Sequence, residues 1–572
     1  MLLNEYELVQ PVGWLLAPVL RLAFRFVSFL THAVFVLWNL RNKRQVVPQI
    51  DPNDEDDRFL LVPAQELAAL VREQKPTATH LLEIFIRRAE LVNPQLNAVV
   101  QRNYEAARKQ AHEIDEFVAK LDRESDEFKQ ASSLRIQSIT PLCSFQLAIT
   151  KPLLGVPISV KDHIGVEGLR VTAGLDVYRD NPPCAKDAVL VQRLKAAEGL
   201  MWIETDNTIY GRTCNAYDSR LGVGGSSGGE GALLGAAATV IGIGTDIGGS
   251  VRTPAMFNGV FGLKPGPELT CLEGFVPDHF CGYQNQLVGI GPMCRYAKDL
   301  LPMFKATNRP PVHSSLRSVQ IFADPQHHGR LRLDEPVDVR KLRVFYMEGS
   351  QSFTQSPLSP DATTHFQEQL GVSTIRVNLP LAEYGLDMWF AGLLEGGALP
   401  LPNFFTGFNP EKALNGLAEI PVFLAGKSTH TLPVITTCAV YDIFAAFTWD
   451  PEQRDKIRAI LRRQFIDLLG PDGVLIWPSF PRSGYFHNEP LMLFTDVQIT
   501  ALWNALALPV VAVPMGLNAS GHPTAVQVVA GPDNERLLCA VAEELERACG
   551  GWQQPPGPVL NAAKPQAAAV ST

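Results

Sequence analysis

Two clusters of glycine and serine, Gly224-Gly225-Ser226-Ser227-Gly228-Gly229 and Thr245-Asp246-Ile247-Gly248-Gly249-Ser250, flank a stretch of small residues. Glycine reaches backbone angles closed to other residues, so each cluster can fold as a tight loop that exposes hydroxyls. In the second loop, successive amides can converge on an anionic oxygen. Three chemistries use such loops. A phosphate cradle requires a Gly-Lys-[Ser/Thr] close or a G-x-G-x-x-G entry into a helix, and neither string occurs. A nucleophile elbow is loosely satisfied by Gly224-Gly225-Ser226-Ser227-Gly228, with an acid and a histidine such as His163, His487 or His522 to complete it. The third pairs serine with a buried lysine, whose lowered pKa lets a neutral amine take a serine proton. Lys161 suits that role, because it closes the apolar run Leu154-Gly155-Val156-Pro157-Ile158-Ser159-Val160, where an unpaired ammonium is costly.

The elements around these residues follow from composition. Glu230 to about Val240 predicts a thin helix of Ala, Gly and Leu, and Val240 to Gly244 a short buried strand that empties into the second loop. Upstream, 63–74 and 78–92 predict two amphipathic helices, the second stopped by Asn93-Pro94. Asn97 to Val100 predicts a strand, and Tyr104 to Phe128 a charged, solvated helix. Downstream, Pro302 to Arg343 predicts an insertion loop, 449–469 a helix, 473–478 and 509–514 strands, and 534–549 a closing helix.

The strand Gly155-Val156-Pro157-Ile158-Ser159-Val160-Lys161-Asp162, the loop Gly224 to Ala232 and the string Gly244 to Arg252 occur in an order that resembles the amidase signature family. Asn258-Gly259-Val260-Phe261-Gly262-Leu263-Lys264-Pro265 and Gly291-Pro292-Met293 extend the match. Within the family the chain is most similar to the membrane-associated fatty-acid amide hydrolases of type 2. The resemblance implies an α/β fold, a large mixed β-sheet core covered by helices on both faces, preceded by an N-terminal hydrophobic helix. It implies that Ser250 is the nucleophile, Ser226 the bridging serine after a cis Gly225-Ser226 bond, and Lys161 the base. The amides of Ile247, Gly248, Gly249 and Ser250 would form the oxyanion hole, with Gly225, Ser227, Asp246 and Arg252 in support. Met201 and Trp202 would touch substrate, and the aromatics between Phe353 and Cys438, Trp389, Phe404, Phe405, Phe408 and Phe423 among them, would cover an acyl channel. No metal and no cofactor is implied. One departure stands out: after Gly199 the chain lacks a strand of ~5–6 residues that relatives carry.

The balance of 50 basic and 59 acidic residues, net charge −9, offers no basic tract for nucleic acid. Nine scattered cysteines without C-x-x-C spacing predict free thiols. The expected organisation is an anchoring region at 1–46, a linker at 47–62, an amidase domain at 63–556 and a disordered tail at 557–572.

From Pro11 to Leu40 the chain is apolar except for Arg21, Arg25, Ser28, His32 and Asn39, which a helix gathers into one stripe. Such a helix either spans a membrane or lies in its interface with the stripe wet and Trp14, Phe24, Phe29, Phe35 and Trp38 in lipid. Glu5 and Glu7 and the missing small-x-small site argue against a cleaved signal peptide. The expected function is a serine hydrolase of fatty-acid amides and esters, acting on a lipid-like small molecule at an intracellular membrane or lipid droplet, with a homodimer left open. The alternatives are a catalytically impaired, membrane-anchored lipid-binding relative and a histidine-dependent α/β-hydrolase.

Overall fold

A computed structural model describes residues 17–120, 153–188, 205–267, 269–270, 272–276, 282–307, 329–350, 352, 354–358, 374–395, 399–407, 409–446 and 451–559. The gap expected after Gly199, Trp14, the end of the charged helix beyond 120, Met201, Trp202, Phe408 and the tail beyond 559 lie outside those residues.

Among the described residues the strands are β1 (Ile158–Val160), β2 (Asp206–Asn207), β3 (Gly211–Arg212), β4 (Ile241–Asp246), β5 (Phe261–Lys264), β6 (Gly289–Cys294), β7 (Arg343–Tyr346), β8 (Thr374–Arg376), β9 (Gly473–Pro478), β10 (Val510–Leu517) and β11 (Pro523–Ala530). Nine of them form one sheet in the order β1-β4-β6-β5-β10-β11-β9-β7-β8, and β2 and β3 form a separate pair. The main sheet is mixed. β1 runs parallel to β4, β4 through β9 pair antiparallel, and β7 is parallel to both β9 and β8. Alternate residues of its strands feed two apolar layers, one holding Ile241, Ile243, Val511 and Val513, the other Leu475, Trp477, Val510 and Ala512. Helices close both layers, as the apolar runs on each face require.

β4 joins the edge strand β1 to β6, and its Ile-Gly-Ile-Gly alternation suits that place. Ile241 and Ile243 enter the core, while Gly244 leaves room where a Cβ would stand 2.6 Å from Ser227 Oγ. The thin helix packed over β4 runs Gly228–Gly235 and stops short of the expected Val240. Ala237 takes φ +57, and the Ala238 and Ala237 N–H groups donate to the Leu233 and Leu234 carbonyls in a Schellman stop.

Other boundaries moved for similar reasons. The helix Ala78–Leu96 runs through Pro94 and ends where Asn97 turns left-handed at φ 50. Asn93 Oδ1 accepts the N–H groups of Ala98 and Val99 at 2.8 and 2.7 Å, so the expected strand at 97–100 is a side-chain-capped turn. Pro302 stands in the first turn of the helix Leu300–Thr307, where it removes no needed donor, so the expected loop begins with a helix. The segment after the N-terminal helix is docked: Val47 and Ile50 are buried, and the N–H groups of Val47 and Gln49 donate to Ala216 and Pro558.

The N-terminal helix spans Ala17–Asn39, and its 22–39 stretch is long and apolar enough to cross a membrane, with 11% of it buried. Of its polar residues, Ser28, His32 and Asn39 face the protein, whereas Arg25 stays in water. Ser28 is fully buried and Asn39 nearly so, whereas Leu22, Phe26, Phe29, Leu37 and Trp38 are each at least 60% exposed.

Candidate active site

Lys161 follows directly on β1 and is completely buried. Its Nζ lies 2.5 Å from Ser226 Oγ, 2.7 Å from Thr245 Oγ1 and 3.4 Å from the Thr245 carbonyl. Burial, opposed in part by the nearby carboxyls of Asp246 and Glu230, lowers its pKa to about 7. Burial thus favours the neutral amine, held beside a serine hydroxyl. The Gly225-Ser226 peptide is cis.

The two glycine-serine loops are laced together. The Ser227 N–H donates to the Ser250 carbonyl at 3.1 Å, and the Thr245 N–H donates to Ser227 Oγ at 3.3 Å. Behind β1, the Ser159 hydroxyl donates to Glu230, a carboxyl that burial keeps well above its ordinary pKa.

The second loop is held open by groups distant in sequence. Burial alone would push the Asp246 carboxyl up, but Arg252 at 3.0 Å, Lys264 and the Asn504 amide hold it well below the usual range. Asp246 accepts the N–H of Gly249 at 2.8 Å and that of Val251 at 3.1 Å, which fixes the turn. Arg252 spends its remaining donors on the Thr500 carbonyl, Asn504 Oδ1 and Gln527 Oε1, so this fully buried pair has full hydrogen bonding. Gly249 takes φ +129, and a Cβ there would collide with Thr500. Trp389 Nε1 donates to the Ile247 carbonyl at 2.7 Å and Thr500 Oγ1 to the Gly248 carbonyl at 2.6 Å. In a trans peptide the N–H points opposite its C=O, so these two bonds set which way the Gly248 and Gly249 amides face.

Gly225, Ser226 and the stretch 245–250 line one cavity of about 1110 Å³, solvent at its mouth included. Its walls are apolar, among them Phe275, Val276, Trp389, Leu401, Phe404 and Phe405. His163 also lines it; burial, then the neighbouring Lys161, keep its imidazole well below its ordinary pKa and neutral. His487 Nε2 lies 3.0 Å from the Ser219 carbonyl, and His522 Nε2 lies 3.3 Å from Asp218; neither lines this cavity. Among the described residues no cluster of three His, Cys, Asp or Glu side chains has the spacing to hold a metal ion.

Of the residues singled out from the sequence, Gly225, Ser226, Asp246, Ile247, Gly248, Gly249 and Ser250 line one cavity, and Lys161, Ser227 and Arg252 stand behind them, bonded to Ser226, Ser250 and Asp246 in turn. Met201 and Trp202 lie outside the described residues. Thr245 was missed as a partner of Lys161, although it lies within the motif. Thr500 and Asn504 carried no local signal, because their roles depend on contacts across some 250 residues of chain.

The amidase family profile matches residues 144–539. Fatty-acid amide hydrolase 2 of Homo sapiens is 34% identical over 530 residues, covering 88% of this chain and 92% of its own. Fatty-acid amide hydrolase 2-A of Danio rerio is 33% identical over 557 residues, covering 93% of this chain and 96% of its own. Among solved structures, one of a fatty acid amide hydrolase superposes with a TM-score of 0.61 at 18% identity, covering 87% of each chain.

Proposed function

The chain belongs to the amidase signature family and is an amide hydrolase, and from that premise we propose that it cleaves fatty-acid amides, and esters, through a serine-serine-lysine relay. The observation that carries this reading is the buried Lys161 amine, its pKa lowered to about 7, lying 2.5 Å from the Oγ of Ser226, a residue that lines an apolar cavity together with Ser250.

Ser250 Oγ attacks the substrate carbonyl, its proton passing to Ser226 while the Ser226 proton passes to Lys161 Nζ. The oxyanion gathers the amides of Ile247, Gly248 and Ser250. The Gly249 amide, already engaged with Asp246, keeps the turn in shape. Collapse breaks the C–N bond, and the leaving amine takes its proton back through Ser226 from the Lys161 ammonium. Water then attacks the acyl-Ser250 ester with the same relay as base, releasing the acid and restoring the serine.

The apolar walls suit a long acyl chain, whose burial contributes about 0.8 kcal/mol per methylene. The names of the type 2 relatives support the same substrate class. The exposed apolar face of the helix Ala17–Asn39 supports work at a membrane or lipid-droplet surface, from which such substrates are drawn.

A fluorophosphonate probe tests the assignment. It is expected to label Ser250 and to leave Ser250→Ala unlabelled; labelling of that variant would overturn the nucleophile. Lys161→Ala is expected to slow amide hydrolysis more than ester hydrolysis, because only the amine needs a proton to leave. Equal losses on both would remove Lys161 from that role.

A further inference from the structure

The N-terminal helix combines two features that a crossing helix does not. Its polar side is fastened to the body at mid-length. Ser28 Oγ lies 2.9 Å from Ser356 Oγ, and Arg482 Nη2 donates to Ser28 Oγ at 3.1 Å and to the Ser28 carbonyl at 3.3 Å. One turn on, His32 Nδ1 lies 2.7 Å from Oε1 of the fully buried Glu489, which Arg482 Nη1 also reaches at 3.0 Å. Its opposite side is apolar and uncovered: Leu22 is 71% exposed, Phe26 60%, Phe29 66%, Leu37 66% and Trp38 77%. Arg25, Arg41 and Lys43 are exposed beside that face.

We propose that this helix lies in the plane of a membrane surface, fastened to the body through Ser28 and His32, with its apolar face in the acyl region of an anionic phospholipid layer. The proposal rests on the membrane reading above and deepens it by fixing orientation.

The fastening point decides between lying and crossing. If the helix crossed a ~30 Å hydrocarbon core while still fastened, Ser28 and His32 would sit near mid-depth and carry Arg482, Glu489 and their loop there with them. A charged side chain at that depth costs ~2.5–3.5 kcal/mol on insertion scales, and irregular backbone facing lipid costs several more. Lying flat, the same groups stay on the protein side, and the helix presents a broad apolar face with basic residues at the level of lipid phosphates. Large aromatic and aliphatic side chains exposed together along one helix mark an interaction surface. The exposed Arg and Lys side chains select an anionic lipid surface as its occupant in preference to an apolar protein groove.

Depth measurements on the full chain test this. A nitroxide amino acid is placed singly at Leu22, Phe29 or Trp38, and the protein is bound to vesicles of phosphatidylcholine with phosphatidylserine. Leu22 and Trp38 are about 24 Å apart along the axis at 1.5 Å per residue. Equal, shallow depths at all three positions, read by collision with oxygen and with a water-soluble nickel complex, are the expected result. Depths that pass through the bilayer centre would overturn the in-plane placement while leaving membrane attachment intact. Absence of lipid collisions, with the protein failing to float with vesicles or burying the labels in a dimer, would overturn the lipid occupant altogether. Ser28→Leu with His32→Leu removes the fastening and is expected to shift the labels to graded depths. Hydrolysis of a soluble short-chain anilide, followed in the same samples, reports the hydrolase reading separately and is expected to be unchanged by the double substitution.

Discussion

Replacing Lys161 with methionine should abolish amide hydrolysis and yet make the protein more stable at neutral pH. The lysine pKa falls from 10.5 in the unfolded chain to about 7 in the fold, because burial disfavours the ammonium. At 1.36 kcal/mol per pH unit, that drop sets roughly 5 kcal/mol against folding under conditions where both states are protonated. Methionine carries no such cost and fills similar space. It forfeits the contacts with Ser226 and Thr245, each a hydrogen bond of about 1 kcal/mol. The variant should therefore gain about 1–3 kcal/mol at pH ~7.

The sign of the pH dependence follows from which state holds the proton. Between about pH 7 and 10.5 the unfolded chain binds it and the native chain does not, so wild-type stability rises with pH through that window. The variant lacks this slope. Its advantage should shrink by about 2 kcal/mol between pH ~7 and ~9. Guanidinium denaturation of the two proteins side by side, at several pH values in one detergent, measures the difference. An advantage that stays constant across the window would mean that Lys161 remains an ammonium in the fold, and the relay chemistry would lose its base.

The acylation rate of the wild type should rise through about pH 7 and level off above it, since only the neutral amine accepts the Ser226 proton; stopped-flow burst measurements that show a flat profile would contradict this. Trp389→Phe keeps the ring but removes the N–H that holds the Ile247 carbonyl, and should lower kcat about tenfold with KM little changed; a rise in KM at constant kcat would assign Trp389 to acyl binding alone. Arg252→Met strands the buried Asp246 carboxylate and should destabilise the protein by ~3–5 kcal/mol, with partial recovery when Asp246→Asn is added; an unchanged denaturation midpoint in the single variant would refute that.

The parts of the site written in contiguous strings were legible. Lys161 closes an apolar run, and Ser226 and Ser250 ride on glycine loops that admit few other conformations, so local chemistry and local geometry coincide there. The strand Gly473–Pro478 was equally plain, being a short apolar run bounded by turn residues. What escaped was decided by tertiary partners. The Asn93 side chain takes two amides that a strand would have used, and Ala237 accepts a left-handed turn that ends its helix early. The polar stripe on the N-terminal helix was visible as a stripe, but nothing local says that Arg482 and Glu489 meet it 450 residues later.

The link from Arg252 to Gln527 bears on how the protein is made. The two residues are separated by 275 positions, and at ~5–20 residues per second the ribosome delivers the second roughly 15–55 s after the first. Until then Asp246 and Arg252 lack the strand and helix that enclose them. The Asp246–Arg252 pair is thus enclosed only once residue 527 has emerged, and a shorter nascent chain carries the Gly248-Gly249-Ser250 turn without the partners that hold its shape.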